Sequence, residues 1–90
     1  MKSHIDADFR KAYSKLPKEA RDQARKAYEL FKQNPYHPSL HFKRVHATDP
    51  VYSVRATISY RALGVKDGDV IIWFWIGHHS EYDKILTQFR

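Results

Sequence analysis

Two arginines occupy alternating, strand-like segments of the sequence, Arg55 in YSVRAT and Arg61 in SYRALG. An arginine in a sheet is costly to bury unpaired, so each must face solvent, a carboxylate or a ligand. Because only a short connection near residues 57–59 separates the two segments, we expect them to pair as a hairpin. Two guanidiniums on one open face would form an anion site suited to phosphate. The alternative is that each arginine pairs with an internal acid: Asp67, Asp69 or Asp83.

A second group of reactive side chains follows the most apolar segment of the chain, in the sequence GHHSEY. His78 and His79 stand where a strand gives way to a helix, and histidine is the side chain best suited to proton transfer near neutral pH. Adjacent side chains on an extended backbone point to opposite sides, so the two need not share a role. Surface or helix-capping histidines are the alternative for both. Tyr82 belongs to the same candidate site, although its place on an apolar helical stripe also predicts packing.

A basic cluster in the segment SLHFKRVH contributes Lys43, Arg44 and His46 on a predicted strand. Alternation would place Lys43 on one face and the other two on the opposite face. Basic residues among aromatic ones suit contacts with the RNA backbone and bases, which makes these three candidate RNA-binding residues. The alternative is an edge strand that is kept soluble by its charges.

Several classes of chemistry are excluded by the residues that the chain lacks. It has no cysteine, no HExxH motif, no phosphate-binding glycine loop and no GxSxG motif. Adjacent histidines are poorly spaced for one metal ion. We therefore predict no metal site and no cofactor, and we set aside nucleotide hydrolysis and serine hydrolase chemistry.

The elements that must position these residues are helices in the first half and strands in the second. Apolar residues at helical spacing predict a short helix with Asp6 as its N-cap and a second helix from about Lys18 to Gln33. Alternating segments then predict strands over residues 40–46, 52–58 and 60–65, and the Asp67-Gly68 pair predicts a hairpin turn. The uniformly apolar run over residues 70–76 predicts a central strand covered on both faces.

A last helix is predicted to begin near Ser80, with Ser80 and Asp83 as a capping-box-like pair. Its apolar stripe comprises Tyr82, Ile85, Leu86 and Phe89. The fold class is α+β in one domain, residues 1–90: an N-terminal helical hairpin packed on an antiparallel sheet of about four strands, with a short C-terminal helix.

Net charge points to the kind of partner. Sixteen Lys and Arg against ten Asp and Glu give the chain a net charge of +6, which suits a polyanion such as nucleic acid, the ribosome or an acidic protein. No apolar run approaches the roughly 20 residues of a membrane helix, so no membrane partner is expected. The absence of cysteine and of a secretory signal favours a cytoplasmic location.

The order of these elements resembles the RelE/ParE superfamily of bacterial toxins from type II toxin–antitoxin systems. The matching segments are FRKAYSKLPKEARDQARKAYELF, LHFKRV, YSVRATISYRALGV, VIIWFWIG and GHHSEYDKIL. Members carry an arginine on the strand before a Tyr-Arg strand, then an apolar strand ending in Ile-Gly-His, then a tyrosine. They also open with an edge strand, for which only residues 3–5 are available here, so that strand is expected to be very short or missing.

The resemblance implies a function as well as a fold. RelE-like members resemble microbial ribonucleases and cut mRNA on the ribosome, whereas ParE-like members inhibit DNA gyrase. By resemblance, Arg55 and Arg61 match arginines that grip phosphate, and His78 or His79 and Tyr82 match the residues after the last strand. Retention of these side chains favours an endoribonuclease that leaves 2′,3′-cyclic phosphate and 5′-hydroxyl ends.

The partners implied are mRNA, the ribosome and an acidic antitoxin. A gyrase inhibitor and an inactive basic binding module are the alternatives.

Overall fold

The structure is a computed structural model that describes residues 1–88 of the chain. Within these residues it contains three α-helices and five strands. In chain order they are β1 (Lys2–Ile5), α1 (Ala7–Ser14), α2 (Lys18–Gln33), a 3-10 turn (Pro38–Leu40), β2 (Lys43–Arg44), β3 (Val51–Arg55), β4 (Tyr60–Asp67), β5 (Val70–His78) and α3 (His79–Thr87). The predicted α+β class, with a helical hairpin first and a short helix last, is confirmed.

The helical hairpin forms where the local signals place it. The Asp6 carboxylate accepts a hydrogen bond of 2.8 Å from the Phe9 backbone N–H and so caps α1, as predicted. Pro17 separates the two helices, because it has no N–H to continue the first one. The small residues Ala20 and Ala24 of α2 are buried in the core, and α1 is the helix that lies closest to the sheet, against β5.

The sheet is mixed and has the strand order β1-β5-β4-β3-β2. The β4–β5 hairpin turns at Gly68, whose φ of 59° is the left-handed conformation that glycine favours. The sheet differs from the predicted antiparallel one because β1 adds a fifth strand, parallel to β5. This strand has only four residues, too few for a readable alternation, and it is held in place by the bond from Trp73 Nε1–H to Ser3 Oγ at 2.9 Å.

Two predicted strands are shorter in the structure. Only Lys43–Arg44 of the predicted strand over residues 40–46 pairs with β3, because Pro38–Leu40 forms a 3-10 turn and His41 then adopts a left-handed φ of 47°. Strand β3 ends at Arg55, where a tight turn leads into β4. Ile58 at the tip of that turn is 76% exposed, although alternation predicted it on the apolar face.

The core lies between the helical hairpin and one face of the sheet, here called the helix face. Its members include Phe31, Leu40, Val54, Ala62 and Trp73. Strand β5 is an inner strand, paired on both edges, although β4 is the middle one; the second face of β5 is only partly covered, since Ile72 is 45% exposed. On α3, Tyr82, Ile85 and Leu86 are half-buried, and Phe89 lies outside the described residues.

A bulge in the β4–β5 pairing decides which β5 residues face the core. Gly64 pairs with Trp73 and the preceding β4 residue, Leu63, pairs with Trp75, so Phe74 is the extra residue. Because one inserted residue reverses the alternation, Trp73 and Ile76 both face the core, and Trp75 lies on the second face.

Candidate functional site

The two strand arginines lie side by side on the second face of the sheet. Arg55 and Arg61 are direct cross-strand partners in the β3–β4 hairpin, so their side chains leave the sheet on the same face. Both are partly exposed. Within residues 1–88 neither forms an ion pair with a carboxylate, and the ion pairs found there involve other residues. The pair therefore presents two positive charges, the arrangement predicted for an anion site. This surface, with Arg55 and Arg61 at its centre, is called the arginine face below.

Arg61 is held in place by the turn that connects the two strands. Its Nη1 donates to the backbone carbonyl oxygens of Thr57 at 2.9 Å, Tyr60 at 3.2 Å and Ile58 at 3.3 Å. The turn is itself closed by the Thr57 hydroxyl oxygen, which accepts from the backbone N–H groups of Ser59 and Tyr60, each at 3.1 Å. One nitrogen anchors the guanidinium, and Nε and Nη2 make no hydrogen bond within the described residues. Those N–H groups remain for a ligand.

The electrostatics of the site favour an anion. Burial lowers the pKa of the Arg61 guanidinium, and repulsion from Arg55 lowers this pKa further, while Tyr82 acts in the opposite direction. Arginine nevertheless keeps its charge throughout the physiological range. Two adjacent guanidiniums therefore repel each other until a negative group, such as a phosphate, lies between them.

The two histidines have different surroundings. His78 pairs with Tyr60 in the sheet and contacts the Tyr60 ring edge-to-face at 5.7 Å, on the opposite side from Arg61. Its Nδ1 accepts from the Ser80 backbone N–H at 3.1 Å, which makes His78 the N-cap of α3. The cap was predicted at Ser80 and lies two residues earlier, and α3 begins at His79 rather than near Ser80. The capping alternative therefore describes His78.

His79 and Tyr82 lie in the first turn of α3, next to the turn that connects β3 and β4. The His79 backbone N–H donates to the Ser59 carbonyl at 2.9 Å, in the same turn whose carbonyls hold Arg61. Tyr82 follows three residues later, so the two side chains share one face of the helix. The His79 ring also stacks on the His78 ring, with 4.4 Å between centroids.

One neighbour of the arginine pair was not predicted. Nη1 of Arg55 lies 3.4 Å from Nε2 of His41. Because a guanidinium only donates, this histidine nitrogen must accept. The sequence predicted a strand over this segment and gave no sign of the contact. The 3-10 turn and the left-handed backbone of His41 bring it to Arg55.

The predicted basic cluster is divided between two roles. Lys43 pairs with Ser53 and therefore lies on the arginine face. Arg44 donates to the carbonyl oxygens of His46 and Thr48, both at 3.1 Å, and the His46 Nδ1 accepts from the Asp49 N–H at 2.9 Å. These two residues organise the loop before β3. Lys43 alone of the three extends the basic surface around the arginine pair.

Within residues 1–88, no group of three or more His, Asp or Glu side chains is placed to hold a metal ion. No helix in the same range is long and apolar enough to cross a membrane.

On the opposite side of the sheet, an apolar cavity of about 340 Å³ opens between the helical hairpin and the helix face. Its walls include Ile5, Phe9, Phe31, Trp73 and Ile76. Arg10 and Arg25 also line it, and Arg25 Nη2 donates to the Tyr13 hydroxyl at 3.3 Å.

Comparison with solved structures finds the same fold in toxin–antitoxin proteins. A chain of the RelB–RelE complex from Methanococcus jannaschii superposes with a TM-score of 0.72 at 22% identity, covering 90% of this chain and 96% of that one. YafQ from E. coli gives 0.70 at 8% identity, covering 89% and 94%. A chain of the E. coli RelBE complex gives 0.63 at 16% identity, covering 86% and 94%.

Sequence comparison assigns the family. Curated protein sequences give no significant match. The profile of the ParE-like toxin domain matches residues 18–84, about three quarters of the chain, from the start of α2 to beyond Tyr82. The chain therefore belongs to the ParE-like toxin domain family, within the RelE/ParE superfamily of toxins from toxin–antitoxin systems.

Proposed function

We propose that this toxin is an endoribonuclease that cuts mRNA, on the ribosome, and thereby inhibits translation. The observation that carries the proposal is the cross-strand pair Arg55 and Arg61, which has no carboxylate partner within residues 1–88. A phosphodiester is the anion that such a two-pronged site fits, and hydrolysis or transfer at phosphate is the reaction that its charge would accelerate.

The reaction follows from the groups beside the arginines. A base removes the proton from a ribose 2′-hydroxyl, and the oxygen attacks the adjacent phosphorus. Arg61 and Arg55 stabilise the charge that develops on the phosphate oxygens. An acid then protonates the leaving 5′-oxygen. The products are a 2′,3′-cyclic phosphate and a 5′-hydroxyl, and DNA is not cut because it lacks the nucleophile.

We assign the proton transfers to His79 and Tyr82. These two residues lie one helical turn apart on α3, whose first backbone N–H donates to the Ser59 carbonyl of the turn that holds Arg61. An imidazole accepts a proton readily near neutral pH, so His79 is the proposed base. A phenol is protonated at that pH, so Tyr82 is the proposed acid. Lys43 is proposed to contact the RNA backbone next to the arginine pair.

An in vitro translation reaction tests the proposal. A reporter mRNA is translated with the purified protein, and primer extension then maps any breaks. We expect breaks phased with the reading frame in the wild type and none with Arg61→Ala. The matched control is Lys11→Ala, which removes an exposed positive charge on α1 and should cut like the wild type. Intact mRNA with normal translation would overturn the proposal, and inhibited DNA supercoiling by gyrase would support the alternative instead.

We further propose an acidic antitoxin as the partner of this protein. Several structural neighbours are chains of RelB–RelE complexes. Here the cavity between the helical hairpin and the sheet is apolar, and Arg10 and Arg25 are among its lining residues. An amphipathic antitoxin segment with acidic side chains would place apolar groups in the cavity and carboxylates on the two arginines.

A further inference from the structure

Trp75 lies beside the arginine pair because of the β5 bulge. Leu63 pairs with Trp75 and Arg61 pairs with Gly77, so the indole and both guanidiniums share the arginine face. A Cβ on Gly77 would lie only 2.4 Å from Trp75 Cζ2. The ring therefore extends flat over Gly77, the residue directly opposite Arg61, and occupies the space that a larger side chain would fill. Bulges commonly re-aim a side chain in this way next to active sites.

The surroundings of Trp75 differ from those of Trp73, the other tryptophan. Trp73 is 2% exposed, and its Nε1–H is bonded to Ser3. Trp75 is half-buried, and its Nε1–H has no hydrogen bond within the described residues. No side-chain nitrogen or oxygen in that part of the chain is both buried and without a partner, so the Trp75 N–H must reach solvent. An accessible indole with an unused donor thus stands next to two positive charges.

The arginine face continues as an apolar surface beyond Trp75. Val65 and Ile72 are cross-strand partners on this face and are 37% and 45% exposed. A surface that combines cations with an accessible aromatic ring matches single-stranded nucleic acid. Its phosphates bind the cations, and its bases stack on the ring. An acidic peptide would use the guanidiniums but has no planar group that needs the ring.

We propose that Trp75 is the base-binding residue of this toxin: the nucleobase next to the phosphate held by Arg55 and Arg61 stacks on the indole, and Nε1–H donates to the RNA. The proposal rests on the ribonuclease function proposed above and deepens it. Trp75 itself makes no bond to the reacting atoms. Its loss therefore weakens substrate binding and leaves the chemical step in place.

Fluorescence tests the stacking directly. In the Trp73→Phe variant, Trp75 is the only tryptophan and reports on its own surroundings. The probe is a short single-stranded 2′-O-methyl RNA, which lacks the nucleophile and is not cut. An abasic oligonucleotide of the same length and charge is the control. We expect the base-bearing probe to quench the emission and the abasic one to leave it unchanged. Equal quenching by both, or by neither, would overturn the proposal.

Kinetics provides a second and independent test. Trp75→Leu should raise KM for RNA about 5- to 150-fold, the range expected for losing one stacked base. Trp75→Phe keeps an aromatic ring and should stay within about threefold of the wild type. An unchanged KM in a folded Trp75→Leu variant would refute the proposal. Failure of the wild type to cut RNA would instead refute the ribonuclease function. Quenching by the base-bearing probe alone would then still identify a base-binding surface.

Discussion

Arg61 combines a positive charge with a fixed position. Three backbone carbonyls hold one nitrogen of its guanidinium, and two further donor groups remain available. Most exposed arginines lose rotamer freedom when they bind a ligand, whereas this one has lost much of it in folding. Preorganised charge of this kind is the largest single contribution to many enzymatic rates.

Arg61→Ala should lower the rate of RNA cleavage by about 10²–10³-fold, the usual cost of removing one preorganised donor. Arg61→Lys should also be impaired, because an ammonium cannot contact the turn carbonyls and a phosphate with the same planar fork. Single-turnover cleavage with each variant measures both effects, and thermal unfolding confirms that the fold is intact. Full toxicity of Arg61→Ala at equal expression would contradict this assignment.

The two adjacent histidines should separate stability from activity. His78→Ala removes the N-cap of α3 and should lower the free energy of unfolding by about 0.5–2 kcal/mol, whereas His78→Asn should keep most of it. His79→Ala should lower the cleavage rate by about 10²–10⁴-fold at unchanged stability. Urea unfolding and cleavage assays on the same preparations decide the matter. The reverse pattern, with His78 needed for cleavage and His79 for stability, would exchange their roles.

At the scale of single residues, the sequence identifies which residue types could react but not which of them has a structural role. The hairpin pairing of the two strand-like segments was predicted from their short connection and is observed, and the register then makes Arg55 and Arg61 direct partners. The difference between His78 and His79 depends on the residue at which α3 begins, which shifts by one from the predicted start. The contact between His41 and Arg55 could not be predicted, because it requires a left-handed backbone in a segment that alternates like a strand.

The β3–β4 turn is the element on which the site depends. Its carbonyls hold both the Arg61 guanidinium and the first N–H of α3, and the Thr57 hydroxyl closes it. Thr57 is therefore a positioning residue for the proposed reaction. A change in this turn would move the phosphate site and the proton-transfer residues relative to each other.

Thr57→Val keeps the shape of the side chain but removes the oxygen that accepts from Ser59 and Tyr60. We expect a fall in kcat of about tenfold or more, because small displacements of catalytic groups are costly. Thr57→Ser should restore kcat, since it restores the hydroxyl. The measurement is kcat and KM for RNA cleavage with both variants. Equal kcat in Thr57→Val and Thr57→Ser would show that the turn positions Arg61 without this side chain.

The elements themselves were largely predictable, and the exceptions have local causes. Both helices of the hairpin follow a clear periodicity of apolar residues, and Gly68 marks the β4–β5 turn. The run of apolar residues in β5 hides its bulge, because every position is equally compatible with either face. The side of the sheet on which Trp75 lies therefore follows only from the observed register.

The whole molecule presents two working surfaces on opposite sides of its sheet. The arginine face carries the candidate phosphate site, and the apolar cavity on the helix side carries the proposed antitoxin site. Both include cationic side chains, in agreement with the net charge of +6. The proposed acidic partner and the proposed RNA substrate would thus be attracted by the same overall field, but would be bound by different residues.

The antitoxin complex should weaken as salt rises, because added ions screen the attraction between its charges. Arg10→Glu and Arg25→Glu should each weaken it further and should make it less sensitive to salt. Titration calorimetry at low and high ionic strength with the cognate antitoxin measures this, and Lys11→Glu is the control of equal charge change outside the cavity. An affinity independent of salt would show that apolar contacts alone hold the complex.

The chemistry of the cut RNA ends is the most direct test of the central claim, because attack by the 2′-hydroxyl leaves a signature that other routes to cleavage do not. A short RNA is incubated with ribosomes and the purified toxin, and the fragments are analysed by mass spectrometry. The account predicts a 2′,3′-cyclic phosphate on the upstream fragment and a 5′-hydroxyl on the downstream one, both absent with Arg61→Ala. Fragments that carry a 3′-hydroxyl and a 5′-phosphate, or RNA that remains intact, would contradict it.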